Sequence, residues 1–285
     1  RGLAWWDENN PHLWRLPGRC LDEMPKGVQT QARFLAGARL SLMSDTGELC
    51  LRVSSVSNKS KLGLDVYVDG RYLQTSALPP SCPVDVTCFK GLDQEMKSVE
   101  VHLPYRRSLQ VDSVGVGDGS SFDELKSDGP PLVLYGSSVA QGVGATRSGM
   151  SYLAIMSRAL GMDYVNLGFG GAGKAESEVV ELVSETEASV LLFDLGKSYG
   201  MQSGEVFYDM LKTLRTSHPH VLMVCLTPIY STRERWESEY RDLSEHTRSV
   251  MRDAVASRVD DGEKDMVIVE GLKLLREPDA DGLSA

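Results

Sequence analysis

The chain has 285 residues, 41% of them hydrophobic and 25% charged, which suits one large or two ordinary globular domains and excludes a fibrous or disordered chain. Asp and Glu outnumber Lys and Arg by 40 to 30, and a net charge of −10 argues against a general nucleic-acid binder, which needs a basic face. No uncharged apolar run reaches the ~18–20 residues that cross a bilayer.

The first 130 residues read as β. Strand-like runs at 38–44 and 48–56 are separated by the turn Asp45-Thr46-Gly47. The run 62–68 alternates and ends at Asp69-Gly70, a hairpin signal, with 71–75 as the return strand. Further strands are expected at 84–89, 98–103 and 108–116. Short strands at this spacing predict an antiparallel sandwich of the jelly-roll sort over residues 1–125. The stretch 117–131 is rich in Gly, Ser, Asp and Pro and reads as a linker.

From residue 130 the pattern changes. Strands at 132–135, 164–167, 190–193, 221–226 and 266–269 alternate with helices at 150–160, 175–184, 206–216 and 233–258. Such alternation predicts a parallel sheet covered by helices, a three-layer α/β/α domain over 130–285. Ligands then sit beyond the carboxyl ends of the strands, so the loops after Tyr135, Leu167, Phe193 and Leu226 are the informative ones.

Two of these loops carry motifs. Gly168-Phe-Gly170-Gly171-Ala-Gly173 fits G-x-G-x-x-G, with Asp194 about 20 residues on, as in a dinucleotide fingerprint. A whole βα unit precedes it, however, whereas the fingerprint opens the first one. The earlier loop, Gly136-Ser137-Ser138-Val-Ala-Gln-Gly142, places a serine just past a buried strand, where backbone N–H groups can receive an oxyanion. Gly-Ser-Ser is also common in plain turns.

Together, Gly136-Ser-Ser138-x-x-x-Gly142 and Asn166-Leu-Gly168-Phe-Gly170-Gly171 resemble the first two blocks of the SGNH (GDSL-like) hydrolases. Arg147-x-Gly-Met-Ser-Tyr152, Gly63-Leu-Asp-Val-Tyr67 and Leu103-Pro-Tyr105 are similar to segments of a subfamily with an N-terminal β-sandwich. The resemblance runs from about residue 34 to the end. It implies a serine esterase acting on small-molecule or carbohydrate acyl esters, such as O-acetyl groups, with no metal and no nucleotide cofactor. It also implies Ser138 as nucleophile and Gly171 as an oxyanion donor. Arg147 would contact an acyl or sugar group, or pair with Asp194. An inactive ligand-binding domain and an acyltransferase on the same scaffold are the alternatives.

Two positions depart from the family pattern. Ser198, in Phe193-Asp-Leu-Gly-Lys197-Ser198-Tyr, stands where the third block has an asparagine that donates to the oxyanion, and Lys197 beside it could supply a positive charge. The last block, Asp-x-x-His, carries the general base and its orienting acid. Asp281-Gly-Leu-Ser284 can be laid on it with serine in the histidine place, leaving Asp281 as a remnant, but the favoured reading is a chain that stops before the true block. Among the five histidines, His218 and His220 lie at the amino end of a strand and His102 and His246 read as structural. His12, in a Trp-rich segment, is the other candidate base.

No CxxC pair occurs among Cys20, Cys50, Cys82, Cys88 and Cys225, and a Cys82–Cys88 pairing is a minor alternative to buried thiols. The chain begins at Arg1, which suits a processed or trimmed protein, soluble and either cytoplasmic or secreted after loss of a signal peptide.

Overall fold

The computed structural model describes residues 1–6, 12–55, 62–79 and 83–282, which group into two compact units. One unit contains residues 1–22, 30–129 and 145–166, and the other contains 23–29, 130–144 and 167 onward. Helix α1 (Lys26–Ala32) follows a 3-10 turn at Leu21–Glu23, and neither element is evident in the hydrophobic pattern.

Among the described residues the first unit carries eight strands: β1 (Arg39–Ser44), β2 (Glu48–Ser55), β3 (Leu64–Val68), β4 (Arg71–Ser76), β5 (Val84–Lys90), β6 (Lys97–His102), β7 (Leu109–Val116) and β8 (Phe122–Glu124). They pair antiparallel in two sheets, ordered β4-β3-β6-β1-β8 and β5-β2-β7. Both sheets contribute apolar residues to one core: Leu42 and Val66 from the first, Leu51, Val53 and Phe89 from the second. The expected hairpin forms at Asp69-Gly70, where both residues have positive φ (48° and 72°), the backbone that joins two twisted strands through a two-residue turn. Arg15, buried, donates to the carbonyls of Phe34 (2.8 Å), Gln31 (2.6 Å) and Asn166 (3.0 Å), and burial pulls its guanidinium down to about 9.

The expected linker contains a strand. Residues 122–124 of β8 pair with β1, Leu42 opposite Glu124 and Ser44 opposite Phe122. All three are exposed, so β8 buries no apolar face that a sequence pattern could reveal. What it satisfies is the backbone edge of β1, helped by Ser44 Oγ donating to Ser121 O at 2.6 Å.

A second sheet is ordered β10-β9-β11-β12-β13, built from β9 (Leu132–Gly136), β10 (Tyr164–Gly168, whose residues 164–166 fall in the range of the first unit), β11 (Val190–Asp194), β12 (Leu222–Leu226) and β13 (Met266–Val269). β11 runs parallel to β9 and to β12, and β12 parallel to β13. Every residue of β9 is buried, as a strand covered on both faces requires. The helices are α2 (Ser138–Gln141), α3 (Tyr152–Leu160), α4 (Ser177–Ser184), α5 (Gly204–Ser217), α6 (Arg233–Trp236), α7 (Ser238–Asp260) and α8 (Gly271–Leu274). α3 lies in the residue range of the first unit.

The single long helix expected over 233–258 is two. Glu237 takes an extended backbone (φ −116°, ψ 103°) between α6 and α7. The Arg241 side chain donates to Glu234 O at 2.9 Å and Arg235 O at 3.4 Å, satisfying carbonyls that the break exposes. Cys20, Cys50, Cys88 and Cys225 are free thiols, and Cys82 lies outside the described residues. No helix among the described residues is long and apolar enough to cross a membrane. Leu51 is fully buried in the sandwich core. Leu51→Ala is expected to cost about 2–5 kcal/mol of unfolding free energy, read from urea denaturation.

Candidate active site

Ser138 opens α2 two residues beyond the strand end at Gly136 and is half-buried. Ser137 N–H donates to Asp194 O at 2.9 Å, which continues the β9–β11 ladder to the residue before Ser138. The loop after β10 packs on the same strand end. Phe169 N–H donates to Gly136 O at 2.8 Å, and Gly170 N–H donates to Gln141 Oε1 at 2.7 Å. Gly173 approaches so closely that a Cβ there would stand 2.0 Å from Gly136 O, and its φ of +72° independently demands glycine. Gly171 also has positive φ (+76°), with open space around the position of a Cβ.

One carboxylate organises this loop. Glu176 accepts from Gly173 N–H at 3.1 Å, from Lys174 N–H at 2.6 Å and from the Tyr135 hydroxyl. In return Glu176 N–H donates to Tyr135 Oη at 3.1 Å. Tyr135 is wholly buried on β9, and burial, reinforced by the Glu176 charge, pushes its hydroxyl well above the usual range. The phenol is therefore a permanent donor. This also answers the dinucleotide reading: the N–H groups of Gly173 and Lys174, where a pyrophosphate would bind, are occupied by the chain's own carboxylate.

The third loop is the 3-10 turn Gly196–Tyr199 after β11. Ser198 is half-buried in it, between two anchored neighbours. Tyr199, buried, accepts from Phe207 N–H at 3.1 Å and donates to Ser203 O at 2.5 Å. Lys197 Nζ lies 2.9 Å from Glu234 Oε1 and 4.6 Å from the Tyr240 ring centroid. Glu234 is buried and also binds the fully buried Arg248 side chain, at 2.9 and 3.1 Å. Arg248 in turn donates to Pro228 O and Ile229 O in the loop after β12. The Lys197 charge is thus engaged in a network that joins two cleft loops to α6 and α7.

Burial alone would raise the Glu234 carboxyl, but hydrogen bonds from Arg248 and Lys197 outweigh it and hold it below the usual range. Burial lowers the Lys197 ammonium, and Glu234 offsets only part of that. A depressed carboxyl contributes stability at neutral pH that is lost as pH falls through the carboxylate range.

Ser138 N–H, Gly171 N–H and the Ser198 hydroxyl, in the loops that follow β9, β10 and β11, have no hydrogen-bond partner among the described residues. Two histidines of this unit are hydrogen-bonded to carbonyls. His218, buried, meets Thr186 O through Nε2 at 2.8 Å and Leu214 O through Nδ1 at 3.2 Å. His246 Nε2 donates to Gln202 O at 2.9 Å, and His220 is exposed before β12. In the first unit His12 stacks on Trp14 at 4.4 Å and His102 is buried. Arg147, also in that unit, donates through Nη1 to Tyr67 Oη at 2.7 Å and lies 3.7 Å over the Tyr72 ring. Asp281 falls in the 3-10 turn Glu277–Gly282, its side chain and Ser284 lying outside the described residues. Among the described residues no group of three or more His, Cys, Asp and Glu side chains stands close enough to hold a metal ion.

The Tyr135–Glu176 lock and the Glu234–Arg248 pair escape sequence reasoning. The first joins residues 41 positions apart and the second residues 14 apart on two different helices, and neither leaves a local motif. Tyr135→Phe leaves a Glu176 oxygen short of a donor and is expected to cost about 1–3 kcal/mol of stability, measured by urea denaturation. Glu234→Gln leaves Arg248 and Lys197 without their counter-charge. Its expected cost is about 3–5 kcal/mol at pH 7, shrinking toward pH 3, read from denaturation midpoints across that range.

A family model described as the GDSL-like lipase/acylhydrolase family matches residues 130–283. No curated protein sequence matches the chain. Among solved structures, the chain is similar to the salicylyl-acyltransferase SsfX3 from a tetracycline biosynthetic pathway, with 22% identity, a TM-score of 0.84, and coverage of 93% of this chain and 79% of that one. A GDSL-like protein from Bacteroides ovatus aligns at 21% identity and TM-score 0.81 over 94% and 83% of the two chains. A family two carbohydrate esterase from Clostridium thermocellum, in complex with cellohexaose, aligns at 15% identity and TM-score 0.65 over 83% and 82%. At these identities the likeness is one of fold.

Proposed function

The chain belongs to the GDSL-like lipase/acylhydrolase family, and from that premise we propose that it is a serine esterase with Ser138 as nucleophile. The observation that carries this reading is the set of three unengaged donors in the loops after β9, β10 and β11: Ser138 N–H, Gly171 N–H and the Ser198 hydroxyl. Preorganised donors aimed at developing charge are the largest single source of acyl-transfer catalysis.

In the proposed reaction Ser138 Oγ gives its proton to a base and forms a bond to the ester carbonyl carbon. The carbonyl oxygen becomes an oxyanion held by the three donors. The carbon–oxygen bond to the alcohol then breaks and the alcohol leaves with the proton. Water attacks the acyl-Ser138 ester in the second half and releases the acid. The described histidines of this unit do not supply that base, because they are bound to carbonyls or lie at the amino end of β12.

The substrate class in this reading is a short acyl ester of a small molecule or sugar, which the likeness to carbohydrate esterases supports. A second reading, transfer of the acyl group to an alcohol, is favoured by the likeness to the salicylyl-acyltransferase. Both use the same acyl-Ser138 intermediate and differ in what attacks it.

On p-nitrophenyl acetate, Ser138→Ala is expected to lower turnover by at least ~10³-fold, and intact turnover in that variant overturns the assignment. Ser198→Ala is expected to lower kcat by ~10²–10³-fold with KM little changed, since a transition-state donor is lost. Adding glycerol as an acceptor separates the readings: ester product in place of free acid marks transfer.

A further inference from the structure

We propose that Gln202 is a positioning residue that clamps the two oxyanion loops to each other. In the sheet β10 and β11 flank β9, so the strands that lead to Gly171 and to Ser198 are not hydrogen-bonded neighbours. The ladder fixes each to β9 but does not set the spacing between the loops that follow. Gln202 does so. Its Nε2 donates to Lys174 O at 2.9 Å, three residues past Gly171, and to Tyr199 O at 2.8 Å, one residue past Ser198.

The assignment of the side-chain amide is unambiguous in chemistry. Both partners are carbonyl oxygens, so the group facing them is the NH₂, and its two hydrogens match two acceptors. The clamp is itself held from behind, because His246 Nε2 donates to the Gln202 backbone carbonyl at 2.9 Å from α7. A carbonyl only accepts, so His246 carries its proton on Nε2. Gln202 therefore joins three parts of this unit at one point: the loop after β10, the turn after β11 and α7.

The function of the clamp rests on the reading of Gly171 and Ser198 as oxyanion donors. Two donors on separate loops stabilise one oxygen only if their separation is held, and a displacement of about 1 Å can cost 10²-fold. Losing a side-chain bridge loosens rather than removes the donors, so a smaller loss of about tenfold is expected.

The experiment compares the full chain with Gln202→Glu, which places a carboxylate against two carbonyls, and Gln202→Met, which keeps the length and removes the donors. Amide hydrogen exchange is followed in residues 171–174 and 198–200, alongside p-nitrophenyl acetate kinetics with Ser138→Ala as the reference. Exchange is expected to quicken about tenfold in both segments together in each variant, with kcat about tenfold lower and KM within about twofold. Exchange that is unchanged, or that quickens in one segment alone, overturns the clamp. An unchanged kcat with both segments loosened overturns its positioning role. Where the wild-type chain turns over no faster than Ser138→Ala, it is the esterase reading that fails, and the exchange comparison alone decides whether Gln202 joins the loops.

Discussion

The half-buried carboxylate of Glu176, just before α4, is satisfied by the protein around it, and the loop that carries Gly171 takes its shape from that requirement. Glu176 gathers the Tyr135 hydroxyl and the N–H groups of Gly173 and Lys174. Since Tyr135 belongs to β9, the strand that leads to Ser138, the loop is tied to the strand end rather than to solvent. Close backbone contact at Gly173 then becomes obligatory. Leaving the buried Tyr135 hydroxyl or Gly173 N–H unpaired costs more than a typical hydrogen bond contributes.

The turn after β11 follows the same logic with the charge pattern reversed. Here the buried carboxylate of Glu234 is surrounded by two cations, Lys197 and Arg248, and Arg248 adds two carbonyls of the loop after β12. A buried ion network of this sort contributes modestly against an apolar replacement but is costly to break, so it specifies geometry more than it adds stability. The consequence is that the turn after β11 and the loop after β12 are joined through buried side chains. In the proposed chemistry preorganisation is the main thing the protein supplies, because donors already in place need not reorganise as charge develops.

The site was legible in part. Gly136-Ser-Ser138 and Gly168-x-Gly170-Gly171 are local patterns, and each lies where it was expected, at the carboxyl end of a buried strand. The dinucleotide pattern in the same glycines is explained by sterics: the glycines serve backbone approach to Gly136 and the turn at Gly171, and a neighbouring acid fills the N–H groups that a phosphate would need. Lys197 looked like a free charge beside Ser198 because its partner, Glu234, is far along the chain on α6. β8 and the break at Glu237 were hidden for related reasons. The one is exposed on every residue, and the other is stabilised by the Arg241 side chain acting on carbonyls behind it.

By itself the sequence determined the fold class, antiparallel sheets followed by a parallel one, since alternation with period 2 buries one face of each sandwich strand and continuous apolar runs suit a parallel sheet covered on both sides; it did not show that residues 23–29 group with the second unit and 145–166 with the first. It also determined which serine and which glycine loop stand at the sheet's carboxyl edge, because strand ends followed by small residues are local events. Tertiary structure alone decided which charges meet and which donors stay unengaged. Tyr135 with Glu176, Lys197 with Glu234 and Gln202 with two separate loops are pairings across 28 to 41 positions or within one turn whose direction only packing sets. Hydrogen bonds and ion pairs act over about 3 Å of space, and distance along the chain carries no information about them until the strands are laid side by side.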